Sequence, residues 1–331
     1  MGSVAKSLGA EVDTGLVDHD SAIHPFSPRH YPGFTTLWNN AYPDLKRTEL
    51  EMRLADMSPA RSTTQRWMAE QNNIAIGFTA YEPVEEDPRQ LQLHLFVAPQ
   101  WRGRGIGSRL YNQIVKAVDG TVLRAWARED RSESVRFLGA RGFAAEMRTF
   151  HSSLDTTTFD LTRLAKYQRR LLKYGYRFLN FADLASDTAR NRETYELYCE
   201  VTRDIPASGP RCLPSFAEYE EKILKSPELF RAHFLALHHD RYVGLCILLP
   251  HGRTRHELYA DTMGIKSAYR GRGIAQALSY LGIEYAKNHG YSLISADSSV
   301  ENHRINVLLE NLGFGNRTVW TLFSKSLSCS E

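Results

Sequence analysis

Tyr269-Arg270-Gly271-Arg272-Gly273-Ile274-Ala275 is the stretch of this chain that decides its fold. It follows a strand-like run, Leu258–Ile265, and opens a run with apolar residues at helical spacing. The first-turn N–H groups of a helix have no partner within it, and the helix dipole favours negative charge there. Glycines let a phosphate approach the backbone closely, and Arg270 and Arg272 add cationic donors. The stretch therefore predicts a cradle for a pyrophosphate group.

The same pattern occurs earlier in the chain, as Trp101-Arg102-Gly103-Arg104-Gly105-Ile106-Gly107. It again follows a strand-like run, Leu91–Val97, and again opens a helical run. Its spacing is Arg-x-x-Gly-x-Gly/Ala, which is neither the dinucleotide-binding GxGxxG nor a Walker loop. One such turn alone would be compatible with an ordinary solvated turn. Two copies in matching strand–turn–helix contexts favour a repeated anion site.

Both loops resemble the acyl-CoA pyrophosphate loop of the GNAT superfamily of N-acyltransferases. A second landmark follows each loop: residues 137–143, ending in Gly142-Phe143, and residues 308–314, ending in Gly313-Phe314. Both resemble the end of the last helix of that fold. The two landmarks recur at nearly the same offset, about 168 and about 171 positions, which marks an internal repeat.

The resemblance implies an α/β (α+β) protein with two GNAT acyl-CoA N-acyltransferase folds in tandem, each a mixed central sheet flanked by helices. This tandem arrangement resembles two-domain GNAT proteins of the mycothiol synthase type. We expect an N-terminal GNAT domain over 20–154, a linker over 155–173 and a C-terminal GNAT domain over 174–327. A length of 331 residues also predicts about two domains.

Composition argues against several classes of function. The net charge is only +3 and the basic residues are dispersed, which does not indicate a nucleic-acid surface. The four cysteines lack metal-ligand spacing, so we expect reduced thiols and no metal site. No apolar run is long enough for a membrane span and no signal-peptide core is present, so we expect a cytoplasmic protein. The basic residues of the linker favour a solvated helix face over a binding patch.

The resemblance implies acetyl-CoA as acyl donor, bound by the loop and by the strand before it. Backbone N–H groups of that strand can polarise the thioester carbonyl. In the second copy the expected cofactor-binding residues are Met263, Ile265, Arg270, Gly271, Arg272, Gly273, Ile274, Ala275 and Asn302. In the first copy they are Leu95, Val97, Arg102, Gly103, Arg104, Gly105, Ile106 and Gly107.

Acyl transfer to an amine also needs a group that removes a proton, because alkyl ammonium groups have pKa values around 10. Glu257, Tyr259 and Asp261 alternate along the second-copy strand and should share one face. In the family the base comes from this strand, in a register that falls on Tyr259. Structural roles for all three residues remain open: a strand end, packing, or an arginine partner.

The first copy lacks a matching carboxylate. Its corresponding face carries Arg89, Leu91 and Leu93, and His94 should point to the other face. We therefore expect the C-terminal copy to be catalytic, and the N-terminal copy to bind CoA without turnover or to act as a scaffold.

The last helix departs from the family pattern. The usual general-acid tyrosine is replaced by leucine in both copies, Leu138 and Leu309. The second copy keeps Asn302 where the family commonly has an asparagine that contacts the CoA arm. Asn306 and Asn311 are expected to face solvent or to cap.

The leading interpretation is an acetyl-CoA-dependent N-acetyltransferase that acts on a primary amine of a small molecule. The alternatives are a CoA-binding regulatory or scaffold protein without turnover, and acylation of a peptide or protein amine. We expect neither nucleic acid nor a membrane as partner. The acceptor amine, the acyl chain length and the oligomeric state stay open at this level.

Overall fold

The computed structural model describes residues 21–43, 46–57, 64–84, 87–162, 169–206, 213–225, 232–250 and 256–327. Several sequence predictions lie outside these ranges. They concern the linker positions 163–168 and the cysteines at positions 212 and 329. The other two cysteines, Cys199 and Cys246, are buried free thiols.

The described part of the first repeat contains six strands and four helices. The strands are β1 (Ala22–Pro25), β2 (Gln65–Gln71), β3 (Ile74–Val84), β4 (Asp87–Val97), β5 (Val122–Arg128) and β6 (Ala144–Asp155). The helices are α1 (Tyr31–Ala41), α2 (Glu49–Asp56), α3 (Ile106–Ala117) and α4 (Ser132–Gly139). The β2–β3 hairpin turns at Asn72 and Asn73, both with positive φ, as is typical of an Asn-Asn pair in a tight turn.

The second repeat has the same order of elements. Its strands are β7 (Tyr176–Asn180), β8 (His233–His238), β9 (Arg241–Pro250), β10 (Glu257–Ile265), β11 (Leu293–Ser299) and β12 (Gly315–Ser326). Its helices are α5 (Arg190–Arg203), α6 (Phe216–Tyr219), α7 (Ile274–Asn288) and α8 (His303–Leu312). A π-helical turn, Glu220–Leu224, continues α6.

Contacts among the described residues form two compact units. The N-terminal unit contains the residues up to Ala125 together with those from Lys325 onward, and the C-terminal unit contains Trp126–Ser324. The contact boundary therefore precedes the end of the sequence repeat, near 154. The reason lies in β6, the closing strand of the first repeat, which pairs inside the C-terminal unit.

The N-terminal unit has the strand order β1-β2-β3-β4-β5, with β5 parallel to β4 and the other pairs antiparallel. Successive residues of a strand point to opposite faces, and a register shift of β3 against β2 at Ile76 changes this alternation. Phe78 and Phe96 pack with α1 and α2, whereas Ile76 and Val97 pack with α3. Two helical layers therefore cover the two faces of this sheet.

The C-terminal unit has the strand order β7-β8-β9-β10-β11-β6-β12. Strand β6 lies antiparallel to both β11 and β12, and its pairing with β11 runs from Asp155↔Leu293 to Thr149↔Ser299. The first repeat thus contributes an interior strand to the sheet of the second. No local sequence pattern encodes this exchange, because it depends on which distant strands pair.

Two hydrophobic layers cover the faces of this second sheet. One layer contains α7 and α8, with Leu278 and Leu309 in its core, and the other contains α5 and α6, with Leu197 and Tyr219. The predicted apolar face of α7 is confirmed. Among the described helices, none combines the length and the apolar character that a membrane crossing needs.

Candidate active site

The predicted pyrophosphate loop of the C-terminal unit is an open turn at the start of a long helix. Gly271 and Gly273 adopt φ of 75° and 85°, left-handed values that favour glycine, and α7 begins at Ile274. A Cβ placed on Gly271 would meet no atom within 4 Å. The turn therefore leaves room for a ligand against its backbone, and its first-turn N–H groups lie at the N-terminus of a 15-residue helix.

The leading arginine of each loop is tied to the strand before it. Arg270 donates from Nε to the carbonyl oxygen of Ile265 at 2.9 Å, and Arg102 does the same to Val97 at 3.1 Å. Arg270 also pairs with the Asp204 carboxylate. In both units this side chain braces the turn against its strand.

Arg170, a linker residue that sequence reasoning placed on a solvated helix face, reaches the C-terminal loop. A Cβ on Gly273 would lie 3.0 Å from a terminal guanidinium nitrogen of Arg170. Arg272 is close by on the loop itself, bonded to the Tyr176 hydroxyl at 2.9 Å. The loop therefore carries a cation from a distant part of the sequence in addition to its own.

Strand β10 separates from β11 just before the loop. The parallel pairing between them runs from Glu257↔Leu293 only to Ala260↔Ala296, although β10 continues to Ile265. The pairing of β10 with β9 on its other side shifts register between Ala260 and Thr262. Residue 261 is thus the extra residue of a β-bulge, located where the two parallel strands part.

The backbone groups of Met263 and Ile265 point into this gap. Lys266 donates its N–H to the carbonyl oxygen of Val243 on β9 at 2.9 Å. Bonded and non-bonded pairs alternate along an antiparallel ladder, so Gly264 also bonds to β9. Met263 and Ile265 therefore direct their N–H groups to the opposite edge, which β11 has left.

The three predicted catalytic side chains lie on the α5 face of β10. Leu258 and Ala260 pack with α7, so Glu257 and Tyr259 face the other way. The Thr262 hydroxyl donates to the Asp261 carboxylate at 2.8 Å, so the bulge brings both side chains together. Glu257 lies at the start of the paired segment, two pleats before the gap, whereas Asp261 lies at the gap itself.

Tyr259 is a hydrogen-bond donor at this site. Its hydroxyl donates to Asp297 on β11 at 3.3 Å. Burial raises the pKa of the Tyr259 phenol well above its usual value, and the carboxylates of Asp297 and Asp261 raise it further. The phenol is therefore protonated at neutral pH, which does not suit a general base.

Helix α6 adds a second phenol near the bulge. The Tyr219 hydroxyl is buried and has no hydrogen-bond partner among the described residues. Burial raises its pKa, and the nearby Tyr198, Cys199 and Asp261 add to the shift. Asp261 thus lies within electrostatic reach of phenols from both α6 and β10, and this side of the gap combines carboxylates with aromatic rings.

The last helix holds the edge of the gap through an asparagine that sequence reasoning assigned to solvent. Asn306 is buried, and its side-chain amide donates to the carbonyl oxygens of Ser299 and Val300 at 3.0 and 3.1 Å. The prediction that it faces solvent or caps is wrong. Asn302 is the N-cap of α8, where its side chain accepts from the Ile305 N–H at 3.4 Å. Its predicted contact with the CoA arm stays a prediction.

The N-terminal unit has a loop of the same shape. Gly103 and Gly105 adopt φ of 75° and 77°, and α3 begins at Ile106. Strand β4 pairs with β5 only from Gln90 to Gln92, so it too parts from its neighbour before the loop. The register of β4 with β3 is continuous from Leu91 to Val97, so the stretch of β4 before the loop has no bulge.

The missing bulge corrects the comparison of faces between the two copies. Without it, Leu91 and Leu93 fall on the α3 face with Leu95, rather than on the α1 face that corresponds to Tyr259. His94 lies on the α1 face, 3.4 Å from a carboxylate oxygen of Glu82. The prediction that His94 lies on the face opposite to Leu91 and Leu93 is confirmed. The prediction that Leu91 and Leu93 lie on the face corresponding to Tyr259 is wrong.

Comparison with known proteins identifies the family. The model of the acetyltransferase (GNAT) family matches residues 31–143 and again residues 182–314. The chain belongs to the GNAT acetyltransferase family. Two GNAT folds in tandem are therefore confirmed, and the first match includes both predicted landmarks of the first repeat.

Individual relatives of this GNAT protein are distant. Mycothiol acetyltransferase of Thermobifida fusca is 23% identical over 259 residues, covering 74% of this chain and 77% of the relative. N-alpha-acetyltransferase 30 of Schizosaccharomyces pombe is 34% identical over 83 residues, which is 24% of this chain and 55% of that relative. A GCN5-related N-acetyltransferase from Sphaerobacter thermophilus has a TM-score of 0.69 at 16% identity, over 95% of this chain and 98% of that one. The last likeness concerns the fold.

Proposed function

We propose that the C-terminal unit transfers the acyl group of acetyl-CoA to a primary amine of a small, positively charged molecule. One observation carries the proposal: a single unit combines an open helix-terminal loop, a gap between parallel strands with two inward N–H groups, and carboxylates beside that gap. The N-terminal unit has the loop and the gap, but its strand has no bulge just before the loop. We infer that it binds CoA without turnover.

The loop suits the pyrophosphate of acetyl-CoA. The space over Gly271 is open, the α7 N-terminus offers unpartnered N–H groups, and Arg170 and Arg272 place positive charge at the rim. The gap between β10 and β11 leads from this loop to Asp261 and Asp297. An extended arm attached to the pyrophosphate would follow it.

The residues around the gap have distinct roles in this proposal. Acetyl-CoA supplies an activated acyl thioester. The N–H groups of Met263 and Ile265 are aimed at the gap, where they would donate to developing negative charge on the acyl oxygen. Asp261 attracts an ammonium group to the α5 face beside the gap, and the carboxylate of Asp297 adds to the negative charge there. The phenol of Tyr259 fixes the Asp297 carboxylate by donating to it.

The acceptor class follows from this chemistry and from the relatives. Two carboxylates beside the gap favour a cationic amine over a neutral or acidic one. Long alignments with proteins named mycothiol acetyltransferase support a small-molecule acceptor. Because of the shorter match to N-alpha-acetyltransferase 30, peptide amines are also included in the acceptor panel.

The experiment is a thiol-release assay with acetyl-CoA and an acceptor panel: amino sugars, polyamines, amino-thiols, and peptides with free N-terminal amines. A small cationic amine should gain the mass of one acetyl group and release free CoA. Turnover with peptides only would show that the acceptor is a peptide amine rather than a small molecule. Calorimetric binding of acetyl-CoA without turnover on any acceptor would favour the CoA-binding scaffold instead.

A further inference from the structure

A histidine from the first repeat lies beside the gap of the second. Because β6 is inserted next to β11, His151 becomes the register partner of Asp297. Asp297 follows directly after Ala296, the last β11 residue paired with β10. Ala296 packs with α7, so Asp297 lies on the α5 face, as Tyr259 does. Three neighbouring strands thus bring these side chains to one point.

The three side chains form a connected group. His151 Nδ1 lies 2.7 Å from one carboxylate oxygen of Asp297, and the Tyr259 hydroxyl donates to the other oxygen at 3.3 Å. The side chains of His151 and Asp297 are 39% and 46% exposed to solvent, so a ligand can reach them. A carboxylate held by a phenol on one side and an imidazole on the other has a fixed orientation.

We propose that His151, oriented by Asp297, is the proton acceptor for the amine in the C-terminal site. This inference rests on the proposed function. It assigns the first repeat a chemical part in the reaction of the second, by way of the exchanged strand. His151 is the catalytic residue in this proposal, and Asp297 and Tyr259 are positioning residues.

The chemistry follows from the tautomer that Asp297 selects. A neutral imidazole that donates its Nδ1–H to the carboxylate carries its lone pair on Nε2. The acceptor enters as an ammonium ion, and Nε2 takes one of its protons. The nitrogen lone pair then forms the C–N bond while the acyl C–S bond breaks. The second proton leaves the amide nitrogen for the departing sulfur, directly or through water, so charge and atoms balance.

The other candidates suit this task less well. Tyr259 keeps its proton at neutral pH, and Glu257 lies two pleats before the gap. A histidine has an unperturbed pKa near 6.5, close to the working pH of such a base. A carboxylate beside the imidazole favours its protonated form and so increases its strength as a base.

The surroundings of His151 determine how its titration should respond. On β11 it contacts Asp297, whose other carboxylate oxygen accepts from the Tyr259 hydroxyl of β10. Its register partner on β12, Thr318, carries no charge, and the next β12 residue, Arg317, is paired with Glu310. Among the described residues, Asp297 is thus a charged group in direct contact with the imidazole.

The test compares His151→Gln and Asp297→Asn with the wild type, using the acceptor found in the panel. His289→Gln is the matched control, since it removes an exposed histidine from the far end of α7 in the same unit. We expect kcat of His151→Gln to fall at least 100-fold and to lose the rise with pH through the histidine range. Calorimetric affinity for acetyl-CoA should stay within twofold, and so should kcat of the control.

Asp297→Asn gives a separate signature. The substitution removes a negative charge in contact with the imidazole, so we expect the rising limb of the pH profile to shift to lower pH while kcat decreases. The His151 ring resonances in an NMR titration should show the same shift without any turnover. A purely structural ion pair would lower the melting temperature in both variants and leave the limb in place.

The outcomes separate the two levels of the proposal. Wild-type turnover that His151→Gln retains, with its pH limb intact, would overturn the role of His151 and leave the proposed function standing. Absence of turnover in the wild type on every acceptor would overturn the proposed function, and this inference with it.

Discussion

Replacing Arg170 with alanine tests whether the linker takes part in acetyl-CoA binding. Its guanidinium lies against Gly273, at the N-terminus of α7, where the pyrophosphate is expected. A hydrogen bond to a charged group contributes about 1.5–3 kcal/mol when it is shielded from water. Arg170 is exposed, so solvent screening reduces this to about 1 kcal/mol. We therefore expect the Kd for acetyl-CoA to rise about fivefold.

The measurement is calorimetric titration of acetyl-CoA at low and high salt. At about 0.5 M salt the Debye length is only about 4 Å, so the difference between Arg170→Ala and the wild type should fall below twofold. Arg169→Ala is the control, because successive helical residues point about 100° apart. Repeating the titration with dephospho-CoA, which lacks the 3′-phosphate, shows which phosphate Arg170 contacts. If Arg170→Ala still binds about fivefold more weakly than the wild type, Arg170 lies at the pyrophosphate; if the difference disappears, it lies at the 3′-phosphate.

Two results would refute this reasoning. Equal losses for Arg169→Ala and Arg170→Ala would indicate a general field of the basic linker rather than a local contact. An unchanged affinity for Arg170→Ala at low salt would show that the contact with the loop does not extend to the ligand.

Two further predictions concern stability. A Cβ at Gly264 would overlap the Val201 side chain, so Gly264→Ala should lower the free energy of unfolding by about 2 kcal/mol and Tm by about 6 °C. Gly139→Ala is the control, because a Cβ there would meet no atom within 4 Å, and it should leave Tm unchanged. His233 is fully buried against Phe181, and burial lowers its pKa to about 3. Its folded-state pKa lies below the unfolded value, so stability is present above about pH 6.5 and falls by about 1.4 kcal/mol per pH unit below it. Denaturant unfolding between pH 7 and 4 should show this slope in the wild type and a flatter one in His233→Phe; equal slopes would contradict it.

The sequence predicted the loops and the helices after them because their determinants are local. Glycines in left-handed conformations, the apolar spacing of α7 and the Asn72-Asn73 turn depend on neighbouring residues only. The family resemblance also implied that N–H groups of the strand before the loop polarise the thioester carbonyl, and the structure adds the gap between β10 and β11. Its inward N–H groups at Met263 and Ile265 follow in the structure from ladder register.

The bulge at Asp261 limited what strand alternation could predict. Alternation assumes an unbroken pleat, and one extra residue reverses the faces beyond it. The bulge is present before the loop in the second copy only, so residues at the same distance from the loop arginine, Leu91 and Tyr259, occupy opposite faces. This is why the pair formed by His94 and Glu82 in the first copy was not recognised.

His151 could not be found by motif, because its role depends on the strand exchange. Along β6 it alternates with residues of the opposite face, including Leu154, which packs with α7. A polar residue on the exposed face of a strand carries no functional signal by itself. Only the pairing of β6 with β11 places it beside Asp297. Asn306 was missed for a similar reason, since its partners lie on the turn after β11.

The most direct test of the central claim, that the C-terminal unit carries out the transfer, compares Gly271→Asp with Gly103→Asp. Both glycines have φ of 75°, and a Cβ placed on either would meet no atom within 4 Å, so backbone strain is matched. Gly271→Asn controls for that strain, because asparagine has the same shape and tolerates left-handed backbone. We predict that Gly271→Asp abolishes turnover through repulsion of the pyrophosphate, whereas Gly271→Asn and Gly103→Asp retain it. Loss of turnover in Gly103→Asp, with Gly271→Asp still active, would contradict the claim and assign the reaction to the N-terminal unit.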